Sequence, residues 1–204
     1  MDIGVDTVHQ RLTFPLRDLD GVLVGISGRD YTNTVKPKYK VYDHFEFTKL
    51  GFPSHETHKS HILWNGHLVY PRLFHAAMPI IVVEGFKACM KVLMAGFFNV
   101  VAVLGNQVSD RQRWQLERMA TEIWLWLDNN EAGMKGSVLS GMEFGAPVRV
   151  VPYPDEREQP SDLAVEEIQL ALSGVKDFTR WLLDTPPAMD IYQAKRRKKT
   201  NVGY

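Results

Sequence analysis

The chain has 204 residues, of which 45% are apolar and 24% charged, a composition that predicts a soluble globular protein and excludes wholesale disorder. It has no apolar run of the roughly 18 to 20 residues that a membrane span requires, and its single cysteine, Cys89, excludes an intrachain disulfide and a zinc site built on several thiolates. The N-terminus lacks the basic start and apolar stretch of a secretory signal. We therefore expect a cytoplasmic protein with no membrane partner and no zinc in this chain.

Equal numbers of basic and acidic residues, 24 of each, conceal an uneven distribution of charge along the chain. Residues 1–75 carry nine Lys and Arg against eight Asp and Glu, whereas residues 190–204 carry five Lys and Arg against Asp190 alone. The centre of the chain is therefore acidic and its end strongly basic. Because a sum over the chain hides this segregation, the zero net charge does not exclude binding to nucleic acid.

Two different patterns of apolar residues along the chain predict a two-part fold. Within residues 11–29, alternating apolar stretches flank Asp20-Gly21, which predicts a β-hairpin with a tight turn, and an irregular region follows. From Pro79 onward, four apolar runs alternate with helical segments, as in a parallel α/β sheet. The runs are 80–83, 99–104, 123–127 and 148–153. We predict the α/β class: an α+β N-terminal subdomain at 1–78, a parallel α/β domain at 79–175, and a C-terminal helix with a disordered basic tail at 176–204.

Local signals place the predicted helices between these strands. Gly96 is a natural end for the first helix, and Ser109 with Gln112 forms a capping box that begins the second. Pro186-Pro187 is expected to stop the last helix. The predicted helices are 86–95, 109–120, 132–142, 162–172 and 175–183.

Two of the predicted strands end in an acidic residue. Glu84 follows the first apolar run of the parallel sheet and Asp128 follows the third. Because ligands bind beyond the carboxyl ends of strands in open parallel sheets, we expect both carboxylates to face one cleft. Such oxygen ligands suit Mg²⁺ or Mn²⁺. The alternative is that Asp128 or Asn130 only caps the next helix and that Glu84 is a solvated strand end.

These acids lie in motifs that resemble a known domain. The segments V-V-E-G-F at 82–86 and W-L-D-N-N-E-A-G at 126–133 resemble the Toprim domain of primases, topoisomerases and some repair nucleases. The stretch at 11–29, with F-P near its start and G-R at its end, resembles an upstream part of DnaG-type primases. Further short matches follow in the same order at 37–39, 58–64 and 103–105. The resemblance covers about 11–165 and selects bacterial or phage DnaG-type primases.

The resemblance implies a DNA primase core that synthesises RNA primers from ribonucleoside triphosphates on a single-stranded DNA template. Glu84 and Asp128 would be catalytic and would bind Mg²⁺ or Mn²⁺, with Asn130 and Asp162 at further metal positions. The residues that match basic contacts to nucleic acid or nucleotide are Arg29, Lys38 and Lys59.

The basic tail is considered separately, since it lies beyond the resemblance. Lys195, Arg196 and Arg197 belong to a run of five adjacent cations that can add non-specific affinity for phosphates. The alternative is a tail that serves only solubility.

Departures from the family pattern keep other functions open. Asn130 stands where the family has a second Asp, Ala88 replaces a common Asp, and Asp162 is the sole carboxylate in its motif. An amide is a weaker ligand for a hard cation, so the metal site is expected to be weakened unless the neighbouring Glu131 supplies the missing carboxylate. The alternatives are a non-catalytic subunit that binds single-stranded DNA in a replisome and a Toprim nuclease.

Two remaining expectations concern partners and aromatic residues. The chain starts close to the core of the resemblance, so we expect a phage-type split primase with a separate zinc-domain chain and a replicative helicase as partners. His55, His58 and His61 recur at a spacing of three, which only weakly favours a metal site. Trp124 and Trp126 alternate on a predicted strand, which favours packing over base stacking.

Overall fold

An antiparallel sheet forms the N-terminal part of the chain. The computed structural model describes residues 3–42, 58–73 and 76–201. Four strands pair in the order β1-β2-β3-β4: Gly4–Asp6, Arg11–Arg17, Leu23–Asp30 and Tyr39–Val41. The predicted hairpin is confirmed, with Gly21 at a φ of 84° and the Asp18 carboxylate accepting backbone N–H groups of Asp20 and Val22. A residue with a side chain would be strained at that φ, which explains the glycine.

A parallel sheet follows, as the alternation of apolar runs and helical segments predicts. Its order is β6-β5-β7-β8-β9, with β9 antiparallel to β8 and the other pairs parallel. All four residues of β5 are buried, because helices cover both faces of the sheet. The strands are β5 Ile80–Val83, β6 Val100–Ala102, β7 Ile123–Trp126, β8 Val148–Val150 and β9 Lys176–Asp177.

The helices predicted between residues 86 and 183 are confirmed, whereas a helix at Gly66–Leu73 and one that begins at Pro186 were not predicted. Gly96, with a φ of 96°, follows the first helix of the parallel half, and the capping box of Ser109 and Gln112 forms. The α-helices are α1 Gly66–Leu73, α2 Phe86–Met94, α3 Asp110–Met119, α4 Glu131–Glu143, α5 Val165–Ser173, α6 Phe178–Asp184 and α7 Pro186–Asn201. Two short 3-10 turns lie at Lys59–His61 and Pro160–Asp162.

The end of the chain confirms one prediction and corrects another. The helix before Pro186-Pro187 ends at Asp184, as predicted, and the two prolines then begin α7, because proline is well accommodated in a first helical turn. The basic run is helical where disorder was predicted, since α7 continues to Asn201. Its earlier turns are anchored by Ala188, Met189 and Tyr192, which pack against α4 and α6. The basic run thus extends a helix that is already docked.

Aromatic residues join the two sheets. Phe14 of β2 stacks on Phe86 of α2 with ring centroids 4.4 Å apart, and the Trp64 indole donates to the Pro15 carbonyl at 3.2 Å. Trp64 also pairs through its backbone with Ala102 of β6. Residues 58–73 therefore contact the parallel sheet, although they precede the predicted boundary at residue 78. Strand β9 belongs to the same sheet, although it follows the predicted boundary at residue 175. Both domain boundaries remain predictions. Across the described ranges, no helix combines the length and apolarity needed to cross a membrane.

Candidate active site

A cleft of about 420 Å³ opens between the two sheets, beyond the carboxyl ends of β5 and β7. The parallel half contributes an acidic wall, whereas β3, the residue before β4 and the Lys59–His61 turn contribute cations. The charged residues that line it are Arg29, Lys38, Lys59, Glu84, Lys87, Asp128 and Asp162. The expectation that Glu84 and Asp128 face one cleft is confirmed, and every residue of this set except Lys87 was selected from the sequence.

Strand register brings Glu84 and Asp128 together. Val83 and Trp126 are partners in the adjacent strands β5 and β7, and the two acids follow them. The Glu84 carboxylate accepts the backbone N–H of Asp128. Gly133 in the first turn of α4 packs on the same segment, and a Cβ there would lie 2.1 Å from the Asp128 carbonyl oxygen. Only glycine permits α4 to begin so close to Asp128.

Burial opposes ionisation of both acids, and like charge adds to this effect at Asp128. Burial raises the pKa of Glu84. Burial, followed by the negative charges of Glu84, Asp162 and Glu158, raises the pKa of Asp128 to about 7. A cation between the carboxylates would offset the repulsion and favour the charged form of both. The electrostatics of the cleft therefore suit a divalent metal ion.

Asp162 reaches the cleft from the 3-10 turn Pro160–Asp162, and its Oδ1 lies 3.6 Å from Nζ of Lys87 on α2. The preceding loop is tied to the end of β7, because the Asn129 N–H donates to the Glu158 carbonyl at 2.6 Å. Lys87 was missed by sequence reasoning. Its position in the first turn after Glu84-Gly85 was the available signal, since that turn begins at the same sheet edge.

On the opposite wall, the buried side chain of Arg11 supports the segments that carry Arg29 and Lys38. The Arg11 guanidinium donates to the carbonyls of Pro37 at 2.9 Å, Gly28 at 3.3 Å and Lys38 at 3.4 Å, so it fixes the segment that carries Lys38. Arg29 lies over the ring of Tyr39, with Cζ 5.9 Å from the centroid. Its Nε is buried and makes no hydrogen bond within the described part of the chain. Arg11 is a second functional residue that sequence reasoning did not single out.

Gln112 holds the third cation, Lys59, in place. Gln112 is 1% exposed, and its Nε2 donates to the carbonyls of Val103 at 2.7 Å, Ile62 at 2.8 Å and Lys59 at 3.3 Å. Its Oε1 accepts the Ser109 N–H at 3.0 Å, which completes the capping box. The side chain thus joins the start of α3, the residue after β6 and the Lys59–His61 turn.

Asn130 lies outside the residues that line the cleft. It is the N-cap of α4, where its Oδ1 accepts the Gly133 N–H at 3.0 Å. It lines a separate open cavity of about 600 Å³ with Asn106, Glu131 and Lys135. The helix-capping alternative therefore describes Asn130, and its role as a metal ligand remains a prediction with that oxygen already engaged.

Other residues singled out from the sequence also lie elsewhere. Lys195, Arg196 and Arg197 lie on α7, outside the residues that line the cleft. The rings of His58 and His61 are 5.2 Å apart, and His55 lies outside the described residues. Trp126 is 1% exposed, and Trp124 packs at the edge of the core, in agreement with a packing role.

The acids of the cleft form a partial set of metal ligands. Among the described residues, no group of three or more His, Cys, Asp or Glu side chains is arranged to hold a metal ion. Glu84 and Asp128 nevertheless fit a Mg²⁺ or Mn²⁺ ion that keeps several waters and completes its shell with substrate phosphates. This coordination needs only one or two protein carboxylates.

Comparisons with known proteins agree with this geometry. A profile of the Toprim domain matches residues 79–144. A DNA primase of Staphylococcus aureus is 30% identical over 155 residues, which cover 73% of this chain and 24% of the relative. The zinc-binding and RNA polymerase domains of the Aquifex aeolicus primase superpose with a TM-score of 0.70 at 22% identity, over 92% of this chain and 45% of that one.

A second solved structure, a DnaG primase catalytic domain bound to single-stranded DNA, has a TM-score of 0.67 at 22% identity and covers 86% of this chain and 55% of that chain. This chain spans about a quarter of the length of the curated relatives that it matches. The fold, the Toprim match and the related sequences together show that the chain belongs to the DnaG-type primase family, to whose catalytic core it corresponds.

Proposed function

We propose that this chain is the catalytic core of a DNA primase that joins ribonucleotides into short RNA primers on single-stranded DNA, with Mg²⁺ or Mn²⁺ as cofactor. The composition of the cleft carries this proposal. Carboxylates at the ends of two adjacent parallel strands face Arg29, Lys38 and Lys59 across one cavity. Nucleotidyl transfer needs both, since phosphates require cations and a catalytic metal requires carboxylates.

The two walls of the cleft have different roles in this proposal. Glu84 and Asp128 hold the metal ion, which when bound neutralises charge on the reacting phosphates. Arg29, Lys38 and Lys59 bind the phosphates of nucleotide and template on the opposite wall. Lys87 lies beside Asp162 within the acidic wall, where its ammonium group is available to the leaving pyrophosphate. Asp162 orients Lys87 in this scheme.

The proposed partners follow from the related solved structures. One related structure is of a catalytic domain bound to single-stranded DNA, and another contains a zinc-binding domain beside the polymerase domain. We propose the same template class for this chain, with ribonucleoside triphosphates as substrates and with a zinc-binding domain and a replicative helicase as partners. Lys195, Arg196 and Arg197 add a non-specific electrostatic contact to nucleic acid.

One observation favours a second candidate function, a non-catalytic subunit that binds single-stranded DNA. The Asn130 side chain caps α4 and is a neutral group, so it offers the metal ion less than a free carboxylate would. In this alternative the cations of the cleft are used and the metal chemistry is lost.

Primer synthesis separates the two candidates. Purified chain is incubated with single-stranded DNA, labelled ribonucleotides and Mn²⁺, with and without a replication extract, and compared with E84Q, D128N and the control E131Q. Glu131 is an exposed acid at the start of α4 that does not line the cleft. Primase activity predicts labelled products that E84Q and D128N abolish and E131Q retains. Absence of product with DNA binding intact would overturn the catalytic proposal and support the binding subunit.

A further inference from the structure

A basic and aromatic patch lies on the outer face of α3, outside the cleft. Arg111, Trp114 and Arg118 are exposed and follow one another at helical spacing. The guanidinium carbons of Arg111 and Arg118 lie 4.9 Å and 4.8 Å from the centroid of the Trp114 ring. Trp114 is 49% exposed. The helix therefore presents an indole ring between two cations to the solvent.

Acidic residues on the same helix do not neutralise this patch. Asp110 pairs with Arg113 at 3.2 Å, and the Glu117 carboxylate accepts the Gly145 N–H at 2.6 Å. In ranges 3–42, 58–73 and 76–201, neither Arg111 nor Arg118 makes an ion pair. The patch keeps a local positive charge although the parallel half of the chain is acidic as a whole.

Helix stability accounts for only part of the patch. Arg118 lies in the last turn of α3, where a cation interacts favourably with the helix dipole. Arg111 lies in the first turn, where a cation gains nothing from the dipole. The core is filled from the opposite face by Leu116 and Met119, so Trp114 is not needed there. An exposed tryptophan between two arginines is better explained by a ligand.

The patch continues the basic wall of the cleft. Arg111 precedes Gln112, whose side chain contacts the carbonyl of Lys59, and the Ser109 hydroxyl donates to the carbonyl of Ser60. Lys59 itself lines the cleft. A strand that leaves the cleft past Lys59 thus reaches the first turn of α3 next. From Arg111 to Arg118 the helix advances about 10 Å, which is roughly the rise of three stacked nucleotides.

We propose that Arg111, Trp114 and Arg118 form a second binding site for single-stranded nucleic acid, which holds the strand after it leaves the cleft. One base stacks on the Trp114 ring in place of a guanidinium, and the two arginines contact the flanking phosphates. The direction of the strand rests on the proposed function, whereas binding at the patch does not.

The test measures binding of a fluorescent, unstructured 12-nucleotide DNA strand to the full chain by anisotropy at several salt concentrations. R111Q/R118Q is expected to reduce the slope of log affinity against log salt by about 1.4, since each phosphate contact in a single strand contributes about 0.7. W114A is expected to weaken binding roughly tenfold with the slope unchanged, and W114F to restore most of it. An RNA strand of the same sequence distinguishes template from product.

The matched control is R149Q/R180Q, which removes the same charge from exposed arginines that pair with Glu122 and Asp184. This variant is expected to keep the wild-type slope. Equal slopes for the two double variants, or wild-type binding by W114A, would overturn the proposal. E84Q is expected to bind the strand normally, so a failure of catalysis and a failure of the patch give different results.

Discussion

Replacing Gln112 by leucine tests how the basic wall of the cleft is built. The substitution keeps an apolar volume at a position that is 1% exposed but removes the donor to three carbonyls and the acceptor of the capping box. Each lost hydrogen bond is worth about 1 kcal/mol, and buried carbonyls left unpaired add to the cost. After an allowance for better burial of the leucine, we expect a loss of about 3 kcal/mol.

A functional loss should accompany the loss in stability. A fall of about 3 kcal/mol corresponds to a melting temperature lower by roughly 6 to 12 °C for a chain of this size. Because Gln112 contacts the turn that carries Lys59, we also expect weaker binding of single-stranded DNA below the melting transition. Urea unfolding measures the first effect and fluorescence anisotropy the second.

Gln115 is a matched control on the same helix. It is 7% exposed, and its Oε1 is buried without a hydrogen-bond partner in the described part of the chain. Q115L removes that unpaired oxygen and is expected to be neutral or stabilising. If Q112L and Q115L had the same stability, the hydrogen bonds of Gln112 would not support the wall and the reasoning would fail.

Four further predictions concern the cleft. Since burial and then the charge of Glu84 raise the pKa of Asp128 to about 7, Mn²⁺ must displace a proton from Asp128 when it binds. The affinity for Mn²⁺ should therefore rise from pH 5 to pH 7, and calorimetry in two buffers should detect proton release. D128N should abolish both effects. In the metal-free chain, the raised pKa of Asp128 contributes to the stability of the fold below about pH 4, and this contribution is lost as the pH rises through 7. Mn²⁺ should therefore raise the melting temperature most above pH 7. A rise in melting temperature that does not depend on pH would contradict this prediction. G133A places a Cβ 2.1 Å from the Asp128 carbonyl and should destabilise the chain by several kcal/mol and weaken Mn²⁺ binding, whereas unchanged Mn²⁺ binding would disprove the link between this contact and the acid. R11M leaves the Pro37 carbonyl without its donor and should weaken nucleotide binding through Lys38, with K38Q as the reference; a normal nucleotide affinity in R11M would refute it.

Much of the fold could be predicted because its signals are local. The Asp20-Gly21 turn and the capping box of Ser109 and Gln112 each act within four residues, so a single sequence contains all the information they need. The meeting of Glu84 and Asp128 follows from strand period and parallel order alone. These rules do not depend on which side chains pack elsewhere.

The features that escaped prediction depend on long-range packing. The Gln112 side chain has its partners at residues 59, 62 and 103, and no spacing in the sequence identifies them. The end of α7 has the composition of a disordered tail, but the contacts of Ala188 and Tyr192 with earlier helices provide the free energy that orders its first turns. Asn130 matched a motif position, yet its amide serves the nearest backbone N–H.

The stacked rings of Phe14 and Phe86 set the width of the cleft. Phe86 lies two residues after Glu84, and Phe14 belongs to the strand that pairs with the one carrying Arg29, so the contact ties the acidic wall to the basic wall. Each ring is at most 4% exposed. Moving the walls apart would return roughly 150 Å² or more of each ring to water, at a cost of about 4 kcal/mol per ring. We therefore expect the two walls to stay at a constant separation, so that under the proposed function a primer–template duplex would have to leave the cleft without widening it.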